Sequence, residues 1–243
     1  MGEGDDDDMS LNDQGVAKDS VTPEGRRFLD LLSARRQQAE SAAVAGDDDD
    51  TTMQGEVQPP VLQPSPQDLA DIRTRFDLSD DNTIAAAGTN IPALQGTPFI
   101  GMSRALRDAA GLDDLDDTYG EDRPIKSTNP AHIASGHAEE DVLNRFHKEI
   151  TEAAMSDEEL DGAVINMLIS NAGGICKTCF GGFGFGKYKD GVIKQFSDLH
   201  PNVTIRITAD GGDAFQGKIR VNGQAVDMSR KVVTVRGGVL VDA

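Results

Sequence analysis

A short, continuous run of apolar and β-branched residues, from Gly162 to Ser170, constrains the fold of this chain more than any other part of its sequence. A membrane-spanning helix would need about 18 or more apolar residues, so the run is too short to be one. Strands that are buried on both faces show this pattern, whereas strands with one wet face alternate apolar and polar residues. The sequence therefore predicts a central strand that is covered on both faces.

Helices and strands are predicted to alternate around this central strand. Apolar spacing and turn residues predict helices over 65–76, 103–110, 137–154 and 192–199, strands over 83–91, 203–208 and 231–235, a hairpin of 218–221 with 224–228, and an acidic surface loop over 113–121. Ser65 is the predicted cap of the first helix, with Asp68 in a capping-box position. The order of the elements from residue 83 onward is typical of a three-layer α/β domain.

The first 68 residues differ in composition from the rest of the chain. Two runs of four aspartates, and a segment rich in Pro, Gln and Thr, lack the apolar area that would offset the entropy cost of ordering. One helix is predicted near 23–42, either as a partner-binding element or as part of a free tail. We therefore predict a mostly disordered acidic region over 1–68 and a folded domain over 69–243.

The net charge of the chain, −19, is unevenly distributed. Residues 1–70 carry −11 and residues 71–170 carry −12, whereas residues 171–243 carry +4. Nucleic-acid-binding domains are normally basic overall, because the neutralisation of phosphates drives their affinity. An acidic chain such as this one can bind nucleic acid only through a local patch, and the last third is where that patch would lie.

The residues that carry chemistry form two short motifs. Cys176-Lys-Thr-Cys179 follows the central strand, and His137-Ala-Glu139 stands at a predicted helix start. One His and two Cys make three zinc ligands, which leave the fourth tetrahedral position open for water, as a catalytic zinc needs. A Glu two residues from the His reaches the same site without binding the metal, and this combination of motifs is typical of zinc deaminases.

Two other interpretations of the cysteines remain open at this point. A lone Cys-x-x-Cys in an α/β chain is also the pattern of a thioredoxin-like redox pair. A structural zinc would need a fourth Cys or His. Only His132, His147 and His200 remain for this role. His132 belongs to the loop before the site and His147 lies about three helical turns beyond His137, so neither of these two fits easily.

Four segments of the chain, taken together, carry a resemblance. They are Thr83-Ile-Ala-Ala-Ala-Gly-Thr-Asn-Ile-Pro92, Ser135-Gly-His-Ala-Glu-Glu140, Cys176-Lys-Thr-Cys179 and Val192-Ile-Lys-Gln-Phe-Ser-Asp-Leu-His-Pro-Asn-Val-Thr-Ile205. They resemble the bacterial toxin deaminases of the cytidine-deaminase-like superfamily, over residues 83–210. The resemblance implies a three-layer α/β/α sandwich with a mixed central sheet, Zn²⁺ bound by His137, Cys176 and Cys179, and Glu139 as the proton shuttle. It further implies a hydrolytic deaminase that converts cytosine to uracil in nucleic acid, with DNA favoured, as the effector domain of an interbacterial toxin.

Two departures from the family pattern concern the cysteines. The proline that usually precedes the first cysteine is Ile175 here, and a stretch rich in Gly and Phe, 180–189, stands where the family continues with a helix. Each glycine costs about 1 kcal/mol in a helix relative to alanine. The helix is therefore predicted to start only near Lys189.

Candidate substrate-binding residues lie in this stretch and in the loop before the His-Ala-Glu motif. Phe180 and Phe183 are predicted to stack on bases, and Lys187 and Lys189 to contact phosphates. For any single Phe, packing over the sheet is the alternative. Asn129 is the predicted hydrogen-bond partner of a pyrimidine edge.

Other substrates and roles also remain open. The same residues could act on adenine in RNA, and the acidic total charge would suit a deaminase of free nucleosides or nucleotides. A non-enzymatic module that binds a basic partner is the alternative of a different class, and an immunity or delivery protein is the partner expected of a toxin. The N-terminus lacks the basic and apolar parts of a secretory signal, so we expect a cytoplasmic protein, or one that reaches a target-cell cytoplasm by a signal-independent route.

Overall fold

The computed structural model of the protein describes residues 63–79, 82–97, 99–127, 136–171, 175–176, 178–183, 189–210, 218–221, 224–227 and 232–242. The helix predicted near 23–42 lies outside these ranges, as do the predicted site residues Asn129 and Lys187.

Five α-helices and eight strands make up the described part of the chain, which is a mixed α/β structure. The helices are α1 (Pro66–Phe76), α2 (Arg104–Ala110), α3 (Leu115–Tyr119), α4 (Ala138–Glu152) and α5 (Val192–Leu199), and a 3₁₀ turn covers Pro92–Leu94. The strands are β1 (Ile84–Thr89), β2 (Phe99–Met102), β3 (Val164–Ser170), β4 (Thr204–Asp210), β5 (Lys218–Val221), β6 (Gln224–Asp227), β7 (Val232–Arg236) and β8 (Val239–Asp242). Of the helices described, none has the length and apolar character that crossing a membrane requires.

Six of the strands form one mixed sheet in the order β2-β1-β3-β4-β7-β8. The neighbours β3 and β4 are parallel, and the other neighbouring pairs are antiparallel. Parallel strands need a crossover connection, and α5 lies in the connection between β3 and β4. The strands β5 and β6 form a separate antiparallel hairpin at the predicted position.

The central strand β3 is buried on both faces in its middle, as the sequence predicts. Met167, Leu168 and Ile169 are consecutive, and each is at most 5% exposed. Because consecutive strand residues point to opposite faces, apolar groups must cover both faces. Met167 and Ile169 belong to a core cluster that includes residues of α4 and α5, whereas Leu168 belongs to a second cluster with residues of α1 and α2.

Helix α1 has the cap predicted at Ser65. The Ser65 hydroxyl accepts a hydrogen bond from the backbone N–H of Asp68, and the Asp68 carboxylate accepts one from the backbone N–H of Ser65 at 2.9 Å. This reciprocal pair is a capping box. The helix begins at Pro66, so the predicted boundary between residues 68 and 69 falls inside it.

Three elements differ from the sequence predictions. The pattern did not predict β2 and β8, because four residues are too few to establish a period of two. The acidic stretch 113–121, which we expected to be a loop, contains the short helix α3. The Asp114 carboxylate accepts hydrogen bonds from the backbone N–H groups of Asp116 and Asp117, so a side chain that suggested a solvated loop caps a helix instead.

The edge strand β2 lies very close to the start of α4. A Cβ atom on Gly101 would lie 2.1 Å from the carbonyl oxygen of Ala138 and 2.7 Å from Cγ2 of Val142. The first contact is with backbone, which cannot swing aside as the end of a long side chain can. Glycine at position 101 therefore permits the close approach of α4 to the sheet.

Gly101→Ala is expected to force α4 away from β2 and to destabilise the domain by about 1–3 kcal/mol, the usual cost of overpacking a core. Denaturant unfolding measures the loss, and the larger Gly101→Val should lose more. Ala105→Ser, at an exposed position of α2, is the control and should change stability little. Equal unfolding midpoints for the wild type and Gly101→Ala would contradict the close approach.

Candidate metal centre

The N-termini of α4 and α5 lie close together at the end of the sheet where the parallel strands β3 and β4 have their carboxyl ends. Helix α5 follows β3 in the chain, so it begins near the carboxyl end of that strand. Helix α4 precedes β3, and its start contacts the segment that follows β3, because the backbone N–H of Cys176 points at the Glu139 carboxylate. In open α/β sheets, ligands bind outside the carboxyl ends of parallel strands.

The structure brings the three predicted ligands, His137, Cys176 and Cys179, into one cluster. Their ligand atoms, one from each residue, all lie within 4.8 Å of one another. His137 Nδ1 lies 3.0 Å from Cys179 Sγ. Among the residues that the structure describes, this is the one group of three or more His, Cys, Asp or Glu arranged to hold a metal ion.

His137 is the N-cap residue of α4. Its backbone is extended, with φ −75° and ψ 157°, and its side chain makes no capping hydrogen bond. The imidazole ring is turned to the cysteines instead. Ala138, which follows, is fully buried against β2, so the helix start and the ring are positioned by the same close packing.

A tight turn and the start of α5 hold the two cysteines. The backbone N–H of Phe180 donates to the Cys176 carbonyl oxygen at 3.0 Å, and that of Ile193 donates to the Cys179 carbonyl oxygen at 3.2 Å. A Cβ atom on Gly191, the N-cap of α5, would lie 2.4 Å from the same Cys179 oxygen. Glycine at this position lets the helix pack directly on the cysteine segment.

Glu139 is buried beside the cluster with one carboxylate oxygen unpartnered. Its side chain is 0% exposed, and its Oε1 lies 3.5 Å from the backbone nitrogen of Cys176. Its Oε2 has no hydrogen-bond partner, a property that only Ser127 Oγ shares among the buried side-chain atoms of the described residues. Because an unsatisfied buried polar group costs about 1–3 kcal/mol, an oxygen left in this state is expected to serve a ligand rather than the fold.

The clustered groups shift one another's pKa values. A hydrogen bond from Cys179, and the nearby His137, lower the pKa of Cys176 to about 3 despite its burial. Burial lowers the pKa of His137, but the hydrogen bond to Cys176 and the charge of Glu139 outweigh burial and raise the pKa to about 9. Burial raises the pKa values of Cys179 and Glu139. The shifts of His137 and Cys176 thus both favour the charged forms of the side chains, imidazolium and thiolate, which attract each other.

The cluster could bind a metal ion, and its donor set is compatible with zinc. Zn²⁺ is bound in proteins by imidazole nitrogen and thiolate sulfur, and three such protein donors leave one tetrahedral position open. Binding would require a neutral imidazole and deprotonated thiols, so it would release protons from these groups. The unpartnered Glu139 oxygen stands next to this donor set.

Two buried arginines form ion pairs with carboxylates at the start of α4, and neither pairing was predicted from the sequence. Arg123 donates to Glu140 Oε1 at 2.7 Å, and Arg107 donates to Asp141 Oδ2 at 2.9 Å. The two carboxylates are 0% and 4% exposed. The one signal in the sequence was the run of three acidic residues that begins at Glu139, since nothing local identifies the arginines that pair with it.

The residues predicted to contact the substrate differ in their exposure to solvent. Phe180 and Phe183 are 0% and 4% exposed, belong to the main core cluster, and have ring centroids 4.8 Å apart. This corrects the prediction that these two rings stack on bases, because a buried ring has no face open to a base. Lys189 is exposed, as a phosphate contact must be. Asn129 and Lys187 remain predictions, because they lie outside the described residues.

Comparisons with known proteins do not place the chain in a family. No protein-family model matches it, and no significant match was found among curated proteins or among solved structures. The assignment of a function therefore depends on the residues of the cluster and on their geometry.

The purified protein is expected to hold about one zinc ion per chain, since three donors make one site. Cys179→Ser and His137→Gln should each lose the metal, measured by elemental analysis and by competition with a chelator. His147→Gln is the matched control, because His147 lies on the same helix but outside the cluster. Freshly purified protein that holds no metal, with a disulfide between Cys176 and Cys179 in its place, would favour the redox interpretation.

Proposed function

We propose that this protein is a zinc-dependent hydrolytic deaminase that converts cytosine to uracil in nucleic acid, with DNA favoured. The observation that carries the proposal is the state of Glu139, a buried carboxylate with an unpartnered oxygen, two residues from one of three clustered metal donors. The resemblance of the His-Ala-Glu and Cys-x-x-Cys segments to bacterial toxin deaminases supplies the class of reaction.

We also propose that the folded part is a cytidine-deaminase-like three-layer α/β/α sandwich. Three observations support this architecture. The main sheet is mixed and six-stranded, apolar residues of α4 and α5 pack with one face of β3, and apolar residues of α1 and α2 pack with the other.

His137, Cys176 and Cys179 would hold the zinc ion. When bound, zinc lowers the pKa of a coordinated water from roughly 16 toward 7. Glu139 would take one proton from the attacking water and pass it to the ring nitrogen beside C4, and would then take the second proton from the oxygen added at C4 and pass it to the departing amine. One water is consumed and the bond from C4 to the exocyclic nitrogen breaks, so cytosine becomes uracil and ammonia leaves.

Among the acidic residues at the start of α4, Glu139 alone is suited to move protons. Burial raises its pKa, and a carboxyl group with a raised pKa takes up a proton more readily than an ordinary one. Glu140 and Asp141 are each engaged in an ion pair with a buried arginine, so their carboxylate oxygens already have partners.

The cellular role follows from the same resemblance. As the effector domain of an interbacterial toxin, the protein would act in the cytoplasm of a target cell, and its acidic region would contact a delivery or immunity protein. A non-enzymatic binding module is less well supported, because a buried carboxylate oxygen without a partner costs stability and would bring such a module no benefit.

Glu139→Gln should abolish turnover while the protein keeps its metal and its fold. The loss of a general acid–base group lowers rates by about 10² to 10⁴, and a group used in several transfers should cost at least as much. The free energy of unfolding should be unchanged or higher, because the variant removes a buried charge that the surrounding groups compensate only in part. Ammonia release, zinc content and unfolding are measured together.

The control for this experiment is Glu152→Gln, an exposed position on the same helix, which should behave as the wild type. Near-normal activity of Glu139→Gln would show that Glu139 is not the proton shuttle. Loss of zinc from Glu139→Gln would show instead that the residue holds the metal site together.

The substrate is identified by incubating the zinc-loaded protein with single- and double-stranded DNA and RNA, and then sequencing for C-to-T and A-to-G changes. Lys189→Ala should weaken strand binding and flatten its salt dependence by about 0.7–0.9 units per lost phosphate contact. Arg236→Ala is the control. Arg236 is also an exposed cation, but it lies opposite Thr204 in the register of β7 with β4, at the amino end of β4 and so away from the cluster.

Removal of the acidic residues 1–62, which leaves α1 and its cap intact, should strengthen strand binding, most at low salt, where charges are screened least. Free cytidine carries no phosphate, so its turnover should not change on this deletion or in Lys189→Ala. Efficient turnover of cytidine without turnover of strands would favour the free-nucleoside alternative, and A-to-G changes would favour adenine.

A further inference from the structure

Gly136, the residue before His137, is held at both of its peptide groups. Its N–H donates to Oε2 of Glu140 at 3.2 Å, and its carbonyl oxygen accepts a hydrogen bond from the backbone N–H of Arg104 at 2.7 Å. Its φ is +76°, in the left-handed region that favours glycine. The chain direction is therefore fixed immediately before the first metal donor.

The Glu140 carboxylate that holds Gly136 is itself held by an arginine. Arg123 donates to Glu140 Oε1 from Nη2 at 2.7 Å and from Nε at 3.3 Å, which leaves Oε2 for Gly136. Glu140 is 0% exposed and Arg123 is 8% exposed. Because this pair is shielded from water and joined through two nitrogens, the arginine holds the carboxylate in one orientation.

The neighbouring ion pair has the same chemistry but different contacts. Asp141 Oδ2 accepts from Arg107 Nη1 at 2.9 Å and from the backbone N–H of Met102 at 3.1 Å. Its Oδ1 accepts from the Tyr119 hydroxyl at 2.8 Å. These bonds tie α4 to α2, β2 and α3, whereas the bonds of Glu140 reach the segment that leads into His137.

We propose that Glu140 is a positioning residue of the metal centre. With Arg123 it holds Gly136, and through Gly136 it sets the direction in which the His137 ring meets Cys179. In this proposal the folded chain positions the three donors before an ion binds, and the ion does not have to bring them together. The proposal rests on the metal site of the proposed function but not on the deamination reaction, so its test measures metal binding.

The test compares Glu140→Gln with Asp141→Asn in the full chain. An amide has an NH2 donor in place of one carboxylate oxygen, so either Arg123 or the Gly136 N–H would face a donor instead of an acceptor. Glu140→Gln should therefore weaken zinc binding about 10- to 100-fold, the usual effect of losing a group that orients a ligand. Zinc affinity is measured by chelator competition, and the visible absorption bands of the Co²⁺-substituted protein report whether the donors keep their arrangement.

Asp141→Asn is the matched control, since it alters an equally buried ion pair one residue away. It should lower stability but leave zinc affinity and the Co²⁺ bands close to those of the wild type. Gly136→Ala should resemble Glu140→Gln, because a side chain at this φ strains the same turn. If Glu140→Gln does not fold, Arg123→Lys takes its place with the same expectation, because lysine keeps the charge but cannot pair through two nitrogens.

Wild-type zinc affinity in Glu140→Gln would overturn the proposal, as would equal losses in Glu140→Gln and Asp141→Asn. A wild-type protein that binds no zinc would overturn both this proposal and the proposed function. A wild-type protein that binds zinc, shows the predicted difference and deaminates nothing would leave the positioning role standing and remove the proposed reaction.

Discussion

Three consecutive buried carboxylates at the start of α4 set the main electrostatic constraint on this domain. Glu139, Glu140 and Asp141 are at most 4% exposed. The positive end of the helix dipole favours negative charge there, but this contributes only about 0.3–1 kcal/mol for each group. Two arginines from the preceding segment provide the larger compensation, and removal of one partner of such a buried pair costs about 3–5 kcal/mol. Among the described residues no arginine pairs with the third carboxylate, Glu139, and the opposite charge that acts on it comes from His137 in the cluster.

Close backbone approach makes this arrangement of charges feasible. Gly101 lets the edge strand touch the first residue of α4, and Gly191 lets α5 touch the cysteine turn. A methyl group at either position would separate a helix start from the backbone that positions its metal donors. The cluster therefore depends on positions that carry no side chain as much as on His137 and the cysteines.

The sequence specified the local features of this structure and left the long-range pairings open. The central strand, the capping box at Ser65 and most helix bounds follow from periodicity and capping residues, which act within a few positions. The donors and Glu139 follow from short motifs. By contrast, Arg107 pairs with Asp141 34 positions away, and no local pattern encodes that partner. The burial of Phe180 was likewise hidden, because an aromatic residue in a glycine-rich stretch suits a loop as well as a core.

The parallel pairing of β3 with β4 also determines when the metal donors can first meet. His137 and Cys179 are 42 positions apart, and the turn that holds Cys179 is closed by a backbone bond from Ile193 in α5. That helix packs on α4 and β7 and leads directly into β4. Contacts so distant along the chain form late, after their loop-closure cost has been met. During synthesis we therefore expect the donors to come together only after α5 and β4 have been made, although His137 leaves the ribosome much earlier.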